Sequence, residues 1–495
     1  MPDAFFDIVI VGTNISGLAY GALCAKQGYT VLVVGQDARP ATYTHSGAQM
    51  FRANPLFHGF SSSSVLHSFF RDIGMLAEMR NRPEKIDPIL QVISPGTRFD
   101  LSARPETTVA ELGRVFPNTS GELEQFLHST TRDGKEIDVF LDDLPLLPPD
   151  GFLDRRRLKK YLGKHPVFDE AGMPLAFPAE LRFTSPLTSL LLFLSRFHSR
   201  PLSPFAIRRM LQHMVDGFYE FPQGIDGMKR LLTERILSNG GAYWPERSVE
   251  QIVLKGKKLA ASVLVHRPRR SVGVRLLVGN CSPRLFFSLV PQEQQNAQFH
   301  GLIKSLQPSH YNYVVNFAVQ PDLIPTCMGR NVIVSLYPKQ ETGGANVLWV
   351  HTRLPEKHQE DAPATLHVTT RLAAADLPLE KTQFDQLNER IIHGLEWVMP
   401  FFRDKLLATH SPYILVDRET GEERLDPAEV QDVFETPYDE CLGLSAIPGR
   451  TYYKNILMLG DHYLGGLGLE GSILGARQAF AWTADKIILK QILRK

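Results

Sequence analysis

Cysteine is scarce in this chain of 495 residues: Cys24, Cys281, Cys327 and Cys441 stand far apart, with no C-x-x-C among them. That spacing supplies neither a zinc site nor a disulfide framework, and it fits a reducing compartment. Long apolar runs are also lacking. The most apolar internal stretch, Leu187 to Phe197, is about half of what a bilayer span needs. The amino terminus, MPDAFFDIVIVG, has no basic segment, and Asp3 and Asp7 precede its short apolar run, so no signal peptide is expected. Charge of one sign is missing too: 54 Lys and Arg face 53 Asp and Glu, which leaves no footprint for nucleic acid. The sixteen histidines show no metal spacing, and there is no H-E-x-x-H, no P-loop and no Ser/His/Asp order. The expected location is cytoplasmic, with peripheral membrane contact left open.

What is present is the balance of a soluble globular protein, 43% hydrophobic and 22% charged, long enough for more than one domain. Residues 6–36, FDIVIVGTNISGLAYGALCAKQGYTVLVVGQ, read as strand, helix and strand. Two short continuous apolar strands flank a helix that Gly28 stops. Such strands, joined by a crossover helix, pair in parallel and are buried on both faces. An amphipathic helix follows FPQGIDG, stops at Gly240-Gly241, and leads into strands around 248–254 and 259–265. VRLLVGNCSPRLFFSLV gives a further buried strand with a turn at 280–283. Alternating segments YNYVVNFAV, NVIVSLYP and NVLWVHTRL predict an antiparallel sheet, with the helical stretch KTQFDQLNERIIHGLEWVMPFF packed beside it. The end of the chain is one more strand, a glycine loop and a long helix.

The fold class expected is therefore α/β. Residues 1–105, 218–290 and 446–495 form a Rossmann-like nucleotide-binding domain, and 106–217 and 291–445 form a discontinuous α+β second domain of antiparallel sheet plus helices. In the first loop, Gly12 and Gly17 fit the tight turn and the helix–strand packing of a dinucleotide site, while Asn14 holds the middle glycine position. The ribose-gripping acid expected at the end of the second strand is replaced by Gly35, which leaves Gln36 as a hydrogen-bonding substitute. In the tail, GDHYLGGLGLEGSILGARQAF, Gly460 and Asp461 precede a glycine-rich helix start, where backbone N–H groups favour negative charge. The plainer reading of that tail is a glycine-lined helix start needed for packing, with Asp461 as a cap. His462 and Tyr463 are candidates to face a substrate, against the alternative of local loop bonds.

These blocks, in this order and across the whole chain, resemble the flavin-dependent amine oxidase and phytoene desaturase-like superfamily. The resemblance implies FAD as cofactor, with its pyrophosphate at Gly12 and Gly17, adenine at the backbone of Val249, and the ribityl chain or phosphate at Asp461. Gly468, Leu469 and Glu470 would lie by the flavin ring. The chain departs from the pattern at Asn14, at Gly35, at Leu464 where proline is common, and in ARPATYTHSG, which lacks a double glycine. The implied activity is removal of hydride from a C–C or C–N bond of an apolar or amine substrate. The alternative is a binding or accessory protein on the same scaffold, like the Rab GDP-dissociation inhibitors, without flavin. Arg196, Arg200, Arg208 and Arg209 around the apolar stretch read either as a tunnel or membrane-facing edge, or as the solvated rim of a core helix.

Overall fold

The computed structural model describes residues 2–492 except 37–38, 144, 150, 165–179, 201, 257, 337–345, 356–361, 378, 380, 417–420, 422, 427–429, 438–443 and 446. Cys441 falls outside the described residues.

Strand Ala4–Val11 and strand Val31–Val34 are continuous apolar runs and pair in parallel, joined by helix Ile15–Lys26. They belong to a seven-stranded sheet. Ala242–Trp244 lies at one edge, next to Val31–Val34, and Arg270–Gly279 pairs with Ala4–Val11 on the other side. The far side of Arg270–Gly279 is shared. Its first half pairs with the hairpin Val249–Lys255 and Leu259–Val265, and its last residues, Leu277–Gly279, pair in parallel with Ile456–Met458 from the tail. Ala4–Val11 and Ile456–Met458, more than 400 residues apart in sequence, thus end on either side of Arg270–Gly279 at the carboxyl edge of one sheet, where α/β folds place ligands. The terminal helix Gly468–Ile492 packs on helix Ile15–Lys26, and the hydroxyls of Tyr20 and Thr483 meet at 2.9 Å.

A nine-stranded sheet carries the second layer. Its order is Thr97–Leu101, Leu90–Ser94, Asn331–Ser335, Val347–Arg353, Ala364–Ala373, Pro308–Val319, Gln431–Pro437 and Phe197–Arg200, with Leu406–His410 off the path beside Pro308–Val319. Helix Lys381–Val398 buries Phe384, Leu387, Ile391 and Leu395 against one face. Residues 90–101, expected within the first unit, pair instead with Asn331–Ser335, so the second sheet begins before residue 105. Their own alternation, LQVIS and TRFDL, marks a hairpin; which sheet it joins is decided by a partner over 200 residues away.

The other face of this sheet is polar although buried. His367 is fully buried; its Nδ1 donates to Asn316 Oδ1 at 3.1 Å, and Nε2 faces the Thr369 hydroxyl at 3.3 Å. Burial, reinforced by His351, pushes its pKa down to about 3. In the unfolded chain a histidine titrates near 6.5, so the neutral imidazole contributes stability that is complete above about pH 6.5 and lost as pH falls toward the folded value. Urea unfolding of His367→Gln and the parent at pH 7 and pH 5 checks this. The parent should lose about 2 kcal/mol more than the variant over that interval.

Candidate functional site

The candidate site is the crevice where the first loop, the end of Arg270–Gly279 and the tail converge. Its centre is Asn280, fully buried at the turn after that strand. Its backbone N–H donates to Val11 O at 2.8 Å, continuing the sheet. Its side-chain Oδ1 accepts from the Gly17 N–H and the Ser16 hydroxyl, both at 3.0 Å, while Nδ2 donates to the carbonyls of Asn14 at 3.0 Å and Gly12 at 3.2 Å. One amide side chain therefore fixes the whole loop. The glycines are required by this approach: a Cβ at Gly17 would lie 2.2 Å from the Asn280 side chain, and one at Gly12, where φ is +109°, 2.4 Å from the Asn280 carbonyl oxygen.

Gly460 completes the crevice from the tail. It has φ of +102°, and its Cβ position lies 3.6 Å from Asn14 Nδ2 and 3.9 Å from Asn280 Oδ1. Helix Ile15–Lys26 has no acid in its first turn, and its Asn14 cap makes no side-chain bond; Asn280 Oδ1 takes the Gly17 N–H of that turn in its place. Asp461 is half-buried beside it. Lys229, on helix Gly224–Ser238, places a cation here; burial lowers its pKa, against the pull of Asp226 and Asp461. Asp226 in turn accepts from Ala41 N, Thr42 N and the Thr42 hydroxyl at 2.9–3.0 Å, holding the segment after the second strand. Asn280, Lys229 and Asp226 were not among the residues singled out from sequence. Asp226 and Lys229 sit on the glycine-opened helix, which was the available signal.

Gly468 and Leu469 open the terminal helix. The Gly468 Cβ position is 3.4 Å from His58 Cε1 and Nε2, with φ of +55°. His58 is buried, its Nδ1 has no partner, and burial next to His213 takes its pKa down to about 3, so it is a neutral imidazole at the glycine tail. Glu470 turns the other way, into a buried charge cluster. Arg209 grips its carboxylate through Nε at 2.7 Å and through Nη2, which also meets Asp138 Oδ1 at 2.6 Å; Ser63 and His213 Nε2 complete the set. Burial alone would raise the Glu470 pKa, but Arg209 and His213 outweigh it and hold the carboxyl well below its usual range. Its side chain is thus committed to helix Pro204–Asp216, not to the crevice. Arg208, 7% exposed, pairs with Asp133 at 2.9 Å, and Arg209 is fully buried, so these two arginines are no solvated rim: their carboxylate partners come from helix Ser120–Asp142 and the tail.

The two candidates of the tail loop separate. Tyr463 is buried away from the crevice; its hydroxyl contacts Leu147 O and Gln478 Oε1 at 2.8 Å, and its ring fills the space left by Gly449 and Gly475. It is a packing residue. His462 lies on the Phe434 ring at 4.9 Å, at the boundary with the nine-stranded sheet, and burial lowers its pKa against the opposing carboxylates of Asp432 and Asp461.

The residues fit a flavin phosphate better than they fit an adenosine. At the first loop and tail stand Lys229, Asp461 and glycines with no room for a side chain, with the Gly17 N–H already held by Asn280 Oδ1. At the adenosine end Gln36 Oε1 already accepts from Val249 N–H at 2.9 Å, and a Cβ at Gly35 would lie 2.0 Å from Pro245 O. An acid cannot stand there. Among the described residues no group of three or more His, Cys, Asp or Glu is placed to hold a metal, and no helix is long and apolar enough to cross a membrane.

Residues 10–73 match the NAD(P)-binding Rossmann-like domain. No curated protein matches the sequence. Among solved structures, an oxidoreductase from Methanosarcina mazei is similar over 96% of this chain and 99% of its own, with 16% identity and a TM-score of 0.59. Cyclohexylamine oxidase from Brevibacterium oxydans is similar over 97% and 99%, with 14% identity and a TM-score of 0.56. A putrescine oxidase triple mutant from a redesign of cofactor binding covers 98% and 99%, with 15% identity and a TM-score of 0.56. The chain has the fold of the flavin-dependent amine oxidase-like proteins, Rossmann-like unit and antiparallel sheet included.

Replacing Glu470 by Gln leaves Arg209 with one buried carboxylate fewer, and breaking such a pair costs about 3 kcal/mol. Chemical denaturation should show that loss, and Asp133→Asn, whose partner Arg208 lies outside the Arg209 clamp, a smaller one.

Proposed function

We propose that the chain is a flavin-dependent oxidoreductase that removes hydride from a C–C or C–N bond. The observation that carries this reading is the convergence of Gly12, Asn14, Gly17, Gly460 and Asp461 at one crevice, on a fold shared with amine oxidases. A bound flavin accepts hydride by its own chemistry, and the protein contributes position and electrostatics. Lys229 and the start of helix Ile15–Lys26 would hold phosphate, with Asp461 on a sugar-chain hydroxyl. FAD, the cofactor implied by resemblance, meets this chain poorly at its adenosine, where Gln36 and the Pro245 carbonyl already stand.

For the substrate, the buried polar face of the nine-stranded sheet matters. Asn312 is 2% exposed with its Oδ1 unpartnered, and Arg371 Nη2 stands 3.4 Å from His198 Nε2. A pure hydrocarbon would leave the Asn312 Oδ1 without a partner, at a cost of about 1–3 kcal/mol. This favours an amine or other polar substrate over a carotenoid-like one. His462, held neutral by burial, is suited to accept a proton at the sheet boundary.

The scaffold-only reading, a partner-binding protein without flavin, is favoured by one observation, the closed adenosine end. A spectrum separates the two. The purified protein should absorb between 350 and 500 nm and bleach anaerobically with an amine from a panel of mono- and diamines; a colourless protein that takes up no flavin would sink the enzyme reading. His462→Gln should keep the spectrum and slow bleaching by about 10²-fold, the scale of a lost general base. Since burial lowers the His462 pKa, the parent rate should hold as pH falls past 6.5 and drop only at more acidic pH.

A further inference from the structure

We infer that a small-molecule site distinct from the crevice lies in the cleft between the edge strand Val249–Lys255 and helices Pro283–Ser288 and Ala297–Ser305, and that it takes a small organic dianion with an apolar body, an aryl phosphate monoester in class. The inference goes beyond the flavin reading and does not depend on it.

The cleft has room for such a ligand. Its volume is about 740 Å³, inside the range of roughly 300–1,000 Å³ usual for small-molecule sites. Its base is apolar: Phe287, Leu289, Val290 and Ile303 line it and are otherwise buried. The base is also held in place. Ile252 N–H of the edge strand bonds Leu289 O at 2.8 Å, Gln295 Nε2 donates to Val290 O at 2.9 Å, and the Phe287 ring meets Phe299 edge-on at 4.9 Å.

The rim carries the charge. Arg269, Arg284 and Lys304 stand around it with one carboxylate, Glu250. That carboxylate is spent: its two oxygens meet His266 Nδ1 at 2.6 Å and Arg269 Nε at 3.3 Å. Arg284 and Lys304 have no carboxylate partner among the described residues, and they are brought to one place, because Arg284 Nη2 donates to the carbonyls of Leu306 and, at 3.5 Å, of Lys304. Those carbonyls close helix Ala297–Ser305, whose negative pole offsets only about half a charge. About 1.5 positive charges are therefore left over at this rim, in a chain whose formal net charge is +1. His300 adds none: its Nε2 meets the Tyr453 hydroxyl at 3.1 Å, and burial, with Lys304 beside it, lowers its pKa. A phosphate monoester carries about 1.5 to 2 negative charges at pH 7 and accepts paired N–H donors from a guanidinium. An inorganic anion would meet the rim and leave the apolar base wet, and a neutral apolar molecule would cover the base and leave the cations unmatched. A ligand that joins the two features engages both.

The test uses the full chain and titration calorimetry at pH 7 with phenyl phosphate, inorganic phosphate and phenol. Phenyl phosphate should bind at least about 10-fold more tightly than either of the others. Lys304→Gln should weaken it about 5-fold or more, and Ser288→Trp, which places an indole in the cleft from an exposed position, should abolish binding. Lys304 and Ser288 are both exposed, so the two variants should keep the parent's urea midpoint. No binding of phenyl phosphate at millimolar concentration overturns the inference, as does inorganic phosphate binding equally well. Binding that survives Ser288→Trp places the ligand elsewhere and overturns it too. None of these failures alters the flavin spectrum, so the flavin reading stands or falls separately.

Discussion

The side chain of Asn280 is the constraint on which the site depends. It spends all its hydrogen-bonding capacity on the loop 12–17 from a position 263 residues away in sequence, and it does so fully buried, where each unmet group would be costly. Because the loop is pinned, Gly12 and Gly17 have no room for a side chain. Because the same strand end also pairs with Ile456–Met458, and Leu459 N–H bonds Gly279 O at 2.8 Å, the tail is delivered to the same place. The crevice is a consequence of one sheet edge shared by both ends of the chain.

A second constraint orders the opposite side of the tail helix. Glu470, Arg209, Asp138 and His213 form a buried network that ties the terminal helix to Pro204–Asp216 and Ser120–Asp142. Isolated, any of these charges would be expensive to bury; together they are satisfied, and their directional bonds fix how the helices sit. The glycine tail is thus held from both sides, by Asn280 near Gly460 and by Arg209 at Glu470. Tyr463 between them serves packing, with its hydroxyl shared between Leu147 and Gln478.

Much of this was legible in the sequence, where the signal is local. Continuous apolar strands around Gly12, the glycine stops at 28 and 240–241, and the glycine-lined helix start at 468 all encode their own conformations, and the segments correspond to the observed strands and helices. The second sheet's alternating strands were equally plain. What was not legible depends on distant partners. Arg208 and Arg209 look like a solvated rim until Asp133, Asp138 and Glu470 are brought to them. Hairpin 90–101 carries its alternation openly, but nothing local says that Asn331–Ser335 is its neighbour. Asn280 reads as an ordinary turn residue, since the destination of its amide is set by the register between Val11 and Gly279. The erosion at Gly35 was visible, yet its physical meaning, a turn of main chain in the side chain's place, lies in the close approach of residues 245–247, more than 200 positions away.

Hydrogen exchange of Asn280→Ala against the parent tests the account most directly, because it asks whether the two ends of the chain are held as one unit. The variant should lose protection in residues 12–18 and in 456–471 together, while the strands 308–319 and 364–373 keep theirs. Loss confined to the first loop, or none in either segment, would contradict the claim that this single amide joins them.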